Sequence, residues 1–308
     1  MAPLVSVIIP TYNRAALVAE ALDSVQAQTF RDFEIVVVDD GGTDGTWEAL
    51  SAGQEIRVLR HPRRRGVSAA RNLGIAAARG QWLAFLDSDD LWLPEKLARQ
   101  LAYLTTRPDV RLCQTDETWV RRGVRVNKPL SHRKAAGWIF LASLTRCMVS
   151  PSAVMVHRRL LQDHGAFDET LPAAEDYDLW LRLTWRYEVG LVDEPLVIKR
   201  GGHPDQLSGQ WGLDRFRIRA LVKLLAEPDL PGPFAQAARE MLAAKSAIYA
   251  QGCDKRSRQT EAAWYRNLSR AAGLAPGPMA APWADAWLNL IPTEGVQHDN
   301  LLQQENPV

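Results

Sequence analysis

The sequence predicts an α/β fold, a mostly parallel sheet flanked by helices on both faces, with a helical C-terminal extension. Between Leu4 and Leu86, short apolar runs rich in Val and Ile alternate with helical periods across brief links. That is the pattern of βαβ units around buried parallel strands. Two of the runs empty into acid. Phe33-Glu34-Ile35-Val36-Val37-Val38 leads into Asp39-Asp40, and Trp82-Leu83-Ala84-Phe85-Leu86 leads into Asp87-Ser88-Asp89-Asp90. Beyond Leu213 helical periods take over.

In order, the chain reads as strand over 4–10, helix over about 13–27, strand over 33–39, helix over 46–50, strand over 56–61, helix over 67–78 and strand over 81–86. A helix opening at Pro94 reaches to about 105, since proline suits a first helical turn whose N–H groups have no partner. Strands over 111–120 and 153–156 flank a polar stretch, 128–136, that reads as a mobile loop over a site. A helix over 176–187 precedes short strands near 189–192 and 196–199. From 213 onward helix is expected, with breaks at 228–233, at Gly252 and at 275–282. The division that follows is one large domain over 1–210, with a first half to about 108 and a second half after it. A helical extension over 211–295 and a polar, disordered tail over 296–308 complete it.

Composition narrows the function. The 308 residues carry 37 Lys and Arg against 36 Asp and Glu, so no global field draws the protein onto nucleic acid. Three cysteines, Cys113, Cys147 and Cys253, lie far apart without a CxxC, which fits reduced thiols in the cytoplasm. The N-terminus shows no signal-peptide pattern and no apolar run approaches membrane-spanning length, so the expected location is cytoplasmic.

Parallel sheets bind ligands outside the carboxyl ends of their strands. The residues placed there are Thr11-Tyr12-Asn13, Asp39-Asp40, the Arg63-Arg64-Arg65 turn and Asp87 to Asp90. Acids crowded together repel, and a divalent cation arriving with a phosphate ligand would relieve them. An aspartate at a strand end also closes turns without any ligand. The i, i+2 spacing of Asp87 and Asp89 lets two carboxylates face one hard cation, and Mg²⁺ or Mn²⁺ takes few protein oxygens when phosphate oxygens complete its shell.

Four strings, Val5-Ser6-Val7-Ile8-Ile9-Pro10-Thr11-Tyr12-Asn13-Arg14, Val36-Val37-Val38-Asp39-Asp40-Gly41-Gly42-Thr43-Asp44-Gly45-Thr46, Ala70-Arg71-Asn72-Leu73-Gly74 and Phe85-Leu86-Asp87-Ser88-Asp89-Asp90, together resemble family 2 glycosyltransferases. The resemblance covers roughly 4–210. It implies a GT-A fold, a nucleotide-sugar donor with UDP-sugar first among the choices, a divalent metal, and transfer with inversion to a saccharide or lipid-linked acceptor in surface polysaccharide synthesis. Carried over by position, Pro10, Thr11 and Tyr12 would line the base pocket, and Asp40 with Asp39 would hydrogen-bond the base or ribose. Arg71 would reach the donor unless it is an exposed helix arginine. Asp87 and Asp89 would face the ribose and the metal, Asp89 as the direct ligand. Asp44 reads instead as a helix cap.

The string Ala174-Glu175-Asp176-Tyr177-Asp178-Leu179-Trp180 resembles the family's Glu-Asp motif before a helix. Inverting transfer needs a base for the acceptor hydroxyl; Asp176 is the choice, with Glu175 and Asp178 as substitutes. Helix capping is the competing use of these acids. His203 sits where relatives carry a basic loop near the diphosphate, although a lone loop histidine commonly faces solvent. The Arg63-Arg64-Arg65 run reads first as a solvated turn. In the tail, Arg215, Arg217, Arg219 and Lys223 alternate with Phe216, Ile218 and Leu221, and Trp283 and Trp287 share a helical face. Packing against the catalytic domain is the first expectation; the pattern also fits peripheral contact with the inner face of a membrane through these C-terminal helices.

Two other functions compete. A sugar nucleotidyltransferase would need a Gly-rich turn after the first strand to cradle a triphosphate, and the turn here is Pro10-Thr11-Tyr12-Asn13. A catalytically silent nucleotide-sugar or glycan-binding protein would not need carboxylates at every motif position.

Overall fold

A computed structural model of the chain describes residues 2–51, 56–202 and 211–274. The described strands form a nine-stranded sheet whose first four in spatial order are β3 (Arg57–Arg60), β2 (Phe33–Asp39), β1 (Val5–Thr11) and β4 (Trp82–Phe85), all parallel. The sheet then turns mixed. β8 (Val154–His157) runs antiparallel between β4 and β6 (Leu112–Arg121), and β9 (Val189–Gly201) lies parallel to β6 with the short β5 (Leu91–Trp92) at its outer edge. β7 (Val124–Val126) closes a hairpin on β6.

Alternation along β1 explains the layers, because successive side chains of a strand face opposite ways. Val7 and Ile9 join Val18, Leu22 and Leu97 under α1 (Ala15–Gln26) and α4 (Lys96–Thr105). Ile8 belongs to the opposite core with Phe85, Leu179 and Trp180, beneath α3 (Val67–Ala77), α6 (Arg158–His164) and α7 (Glu175–Thr184). α3 packs so closely that a Cβ on Gly74 would come within 2.5 Å of Ile8. α2 (Thr46–Ser51) caps the β3 edge.

The helices after residue 210 pack on α7. Ile218, Leu221 and Leu225 of α8 (Asp214–Leu225) share a core with Phe140 and Leu144 of α5 (Phe140–Thr145) and with Tyr177 and Leu181. α9 (Gly232–Asp254) and α10 (Gln259–Leu274) complete that core. The arginine-alternating helix therefore packs through its apolar face against α5 and α7 of the preceding domain, the first of the two expectations for it. Trp283, Trp287 and the tail over 296–308 lie outside the described residues.

Three expectations change. The two short strands near 189–199 are one strand, β9, which runs on through Pro195 because an irregularity between Thr115 and Glu117 lets β6 follow it. α9 passes through Gly252 unbroken, since one glycine costs a helix only about 1 kcal/mol and burial of Tyr249, Ala250 and Cys253 offsets it. The loop over 128–136 is fastened: Lys128 pairs with Asp116, Lys134 with Glu117, Gln114 donates to the Ala135 carbonyl at 3.1 Å, and His132 stacks edge-on against Trp119. Cys113, Cys147 and Cys253 are free thiols.

Candidate active site

Asp39 and Asp40 end β2 beside Thr11, whose carbonyl accepts the Asp40 N–H at 2.8 Å. Pro10 and Thr11 are buried, and the Thr11 hydroxyl finds no hydrogen-bond partner among the described residues. The Asp40 carboxylate receives the Arg65 N–H at 3.0 Å and the Gly66 N–H at 2.7 Å, with His61 Nδ1 2.7 Å away. Asp39 accepts from the Gly42 N–H and faces Arg60 Nε at 3.2 Å. The loop that follows them requires glycine: Gly41 has φ +77, and a Cβ there would fall 2.7 Å from the Arg63 backbone. Above this loop the Arg64 guanidinium covers the half-buried Tyr12 ring at 4.2 Å. The three arginines are exposed, as a solvated turn requires, but Arg64 adds this stacking contact. Asp44 is a cap, accepting the N–H of Ala15 and of Thr46.

Asp87 and Asp89 end β4. Arg71 is buried rather than exposed, and it bridges: one terminal nitrogen lies 2.6 Å from Asp87 and the other 2.5 Å from Glu175. Asp89 pairs with Arg14 at 3.0 Å. Asp90 turns inward, accepting from the Ser152 hydroxyl at 2.6 Å and the Arg200 N–H at 2.9 Å. Burial, and after it the neighbouring Asp89 and Asp87 carboxylates, push Asp90 up to about 8, against the pull of Lys199. The acids are therefore not left uncompensated, as the sequence suggested. Against the cost of burial, Glu117 first, then Asp90, Asp87 and Asp176, hold Lys199 protonated beyond its ordinary range.

Glu175 and Asp176 begin α7. The residue before them, Ala174, sits at φ +59, a conformation a non-glycine residue holds only when its surroundings force it. Glu175 is committed to Arg71, and burial lifts its carboxyl although Arg71 opposes the shift. Asp178 faces α8 instead: it is 1% exposed and pairs with Arg182 at 3.1 Å and Lys223 at 2.7 Å. Both substitutes named for Asp176 thus have their oxygens occupied. Asp176 is half-buried, accepts the Tyr177 N–H at 2.7 Å and the Cys147 thiol at 3.3 Å, and has no salt-bridge partner among the described residues. Burial, then the Asp176 charge, push the Cys147 thiol well up, so it stays a donor. His203 lies outside the described residues.

The structure thus joins Asp87, Arg71 and Glu175-Asp176 in one bridged array, with Asp89 two residues from Asp87 and Asp40 at the head of α3, the helix that carries Arg71. Sequence reasoning missed Arg14, Cys147, Lys134, Lys199 and Glu117. Against the cost of burial, Lys134 first and then Lys199 hold Glu117 far below the carboxylate range, beside bonds from Ser150 and Trp119. Arg14 closes the first of the four strings, but nothing in the sequence near the other four marks them, because their partners are distant in the chain.

No three His, Cys, Asp or Glu side chains converge as a cation cage among the described residues. Asp87 and Asp89, with side chains 29% and 15% exposed, offer a smaller set of hard oxygen donors, the kind that suits Mg²⁺ or Mn²⁺ sharing its shell with phosphate.

Residues 6–164 match the model of Glycosyl transferase family 2. An uncharacterized glycosyltransferase of Rickettsia felis (strain ATCC VR-1525 / URRWXCal2) is 34% identical over 194 residues, 62% of this chain and 32% of its own length, so the chain spans about a third of that relative. The Escherichia coli UDP-Glc:alpha-D-GlcNAc-diphosphoundecaprenol beta-1,3-glucosyltransferase WfaP is 29% identical over 187 residues, 58% of this chain and 70% of its own. Among solved structures, S. aureus TarS 1-349 in complex with UDP-GlcNAc superposes with a TM-score of 0.65 at 22% identity, over 82% of this chain and 73% of that one. The sheet and its flanking helices have the GT-A fold, as the four motifs implied. With the family match extending over more than half its residues, the chain belongs to glycosyl transferase family 2.

Proposed function

We propose that the protein is an inverting transferase that moves a sugar from a UDP-sugar to an acceptor hydroxyl, in the synthesis of a cell-surface glycan, with Asp176 as the base. The observation that carries this reading is the state of the three acids at the start of α7. Glu175 and Asp178 are each committed to a cation, whereas Asp176 keeps a carboxylate held by a backbone N–H and a thiol. Such a carboxylate can accept the acceptor's proton, and the helix N-terminus favours its charge.

On the donor side, Thr11, Tyr12, Asp39 and Asp40 would hold the base and ribose, the buried Thr11 hydroxyl being free to bond a ligand. Asp89 and Asp87 would hold Mg²⁺ or Mn²⁺, which supplies charge stabilisation for a departing diphosphate. Arg71 would keep Asp87 oriented from below. The relative named for a diphosphoundecaprenol-linked acceptor and the neighbour solved with UDP-GlcNAc support the UDP-sugar and an acceptor on a lipid carrier. No helix among the described residues is long and apolar enough to cross a membrane, so a lipid-linked acceptor would be met from the surface.

Asp176→Asn tests the assignment. Turnover should fall by roughly 10²–10⁴-fold, the usual worth of a general base, with UDP affinity unchanged by calorimetry. Turnover within a few-fold of the parent would remove Asp176 from the role. A binding protein without activity would show no donor hydrolysis with Mn²⁺ in the parent chain.

A further inference from the structure

At the edge of the sheet opposite Asp87, a cleft of about 360 Å³ is lined by Gln81, Arg111, His157, Arg158, Arg159 and Gln162. The topology gathers them: Gln81 precedes β4, Arg111 precedes β6, and His157 ends the antiparallel β8 that lies between those strands. Gln81 and Asp87 stand at the two ends of β4, so the cleft is separate from the donor edge. No carboxylate lines it, and from Thr118 to Gln162 the sequence carries no Asp or Glu at all.

The hydrogen bonding fixes the character of the lining. His157 is 6% exposed and stacks edge-on against Trp82. The Arg159 backbone N–H, which can only donate, points at His157 Nδ1 from 3.3 Å. Nδ1 must therefore be the accepting nitrogen, and a neutral ring then carries its proton on Nε2. Burial, and after it the charges of Arg111 and Arg159, favour that neutral ring. Nε2 lies 3.2 Å from Gln81 Nε2, and a donating Nε2–H there is satisfied when the carboxamide is rotated to put its oxygen in that position, the two atoms being interchangeable in shape. Arg158 spends Nε on the Gly80 carbonyl at 2.8 Å, and its Nη2 is buried without a partner. Three guanidiniums and the Gln81 carboxamide thus line one space with no acid among them, and the buried Arg158 Nη2 leaves a donor there that an anion would satisfy.

We propose that this cleft is a second anion site, separate from the Asp87 edge, that takes a phosphate- or diphosphate-bearing ligand. Its volume sits at the low end of ligand pockets, enough for a small phosphate compound or the headgroup of an anionic lipid. The site does not depend on the transfer reaction or on Asp176.

Calorimetric titration of the full chain with pyrophosphate in metal-free buffer tests the proposal, beside co-sedimentation with phosphatidylglycerol and phosphatidylcholine vesicles. Arg111→Gln combined with Arg159→Gln should weaken pyrophosphate binding at least about tenfold, the worth of one lost charge-assisted bond. Asp89→Asn, at the other edge, should leave it unchanged. Both arginines are exposed, so the double variant should keep the parent's unfolding temperature; Gln81→Glu, which adds an acid to the lining, should lose binding independently. Binding of phosphatidylglycerol vesicles but not pyrophosphate, lost in the same variants, would make the ligand a lipid headgroup. Equal affinity in the parent and both variants, or no binding of either probe by the parent, would overturn the site.

Discussion

After β2, Asp40 is held by two backbone N–H groups and a histidine; after β4, Asp87 and Asp89 lie against the guanidiniums of Arg71 and Arg14. The two loops share a composition and a position in the fold, yet one carboxylate is fixed largely by the chain path and the others by side-chain cations, Arg71 buried and Arg14 nearer the surface. Backbone donors cannot leave, so the Asp40 loop is rigid and little affected by salt. The Asp89–Arg14 pair, with side chains 15% and 18% exposed, is open to screening by salt, whereas the buried Arg71 bridge is much less so. Two acid clusters that look alike in sequence therefore have different physical natures.

The largest test of this contrast is Arg71→Met. It leaves Glu175 buried without its counter-charge and should destabilise the fold by about 3–5 kcal/mol in urea unfolding, with Glu175→Gln on the same chain restoring part of the loss. A change under about 1 kcal/mol would mean that the bridge is not what holds this edge.

Lys96 gives the reference case of a buried cation with no carboxylate. It is wholly buried, bonded to Gln100 at 2.8 Å and set 3.9 Å from the Trp92 ring. Burial lowers its pKa from 10.5 to about 7. Between those values the unfolded chain binds the proton and the folded chain does not, so stability should rise as pH climbs through that window, by on the order of 5 kcal/mol. Below pH 7 the cost is fully present. Lys96→Met should abolish the rise; an unchanged pH slope of the unfolding free energy would refute the shift.

Smaller effects separate the two loops directly. Asp40→Asn turns an amide N–H₂ toward donors and should cost about 1–2 kcal/mol, equally in low and high salt. Arg14→Gln removes a partly exposed pair and should cost no more than about 1 kcal/mol, a difference that vanishes near 1 M salt, where screening reaches ~3 Å. If the salt responses came out reversed, the comparison would fail.

The parallel strands and helices of the first hundred residues were readable because each carries its own period: β2 has the bounds its apolar run suggests, and Asp44 caps as its position before Thr46 implies. The tail was readable as helix for the same reason, though not its continuity through Gly252. The balance of charge around Asp87 to Asp90 was not. Arg71 meets Glu175 across 104 residues, and Arg200 meets the Asp89 carbonyl across 111. No local pattern encodes a pairing that only the folded sheet creates. Asp178 shows the same limit, for its motif position matches Asp176 in kind while helical rotation aims it at a different helix.

That rotation has a consequence for dissecting the molecule. Asp178 finds Lys223 on α8, and Tyr177 and Leu181 of the same helix are covered by Ile218 and Leu221. A fragment ending at residue 210 would strip a greasy flank from α7 and leave Asp178 with Arg182 alone, without Lys223. Such a truncation is expected to aggregate instead of yielding a minimal folded unit, and the C-terminal helices are better regarded as a structural wall behind α7.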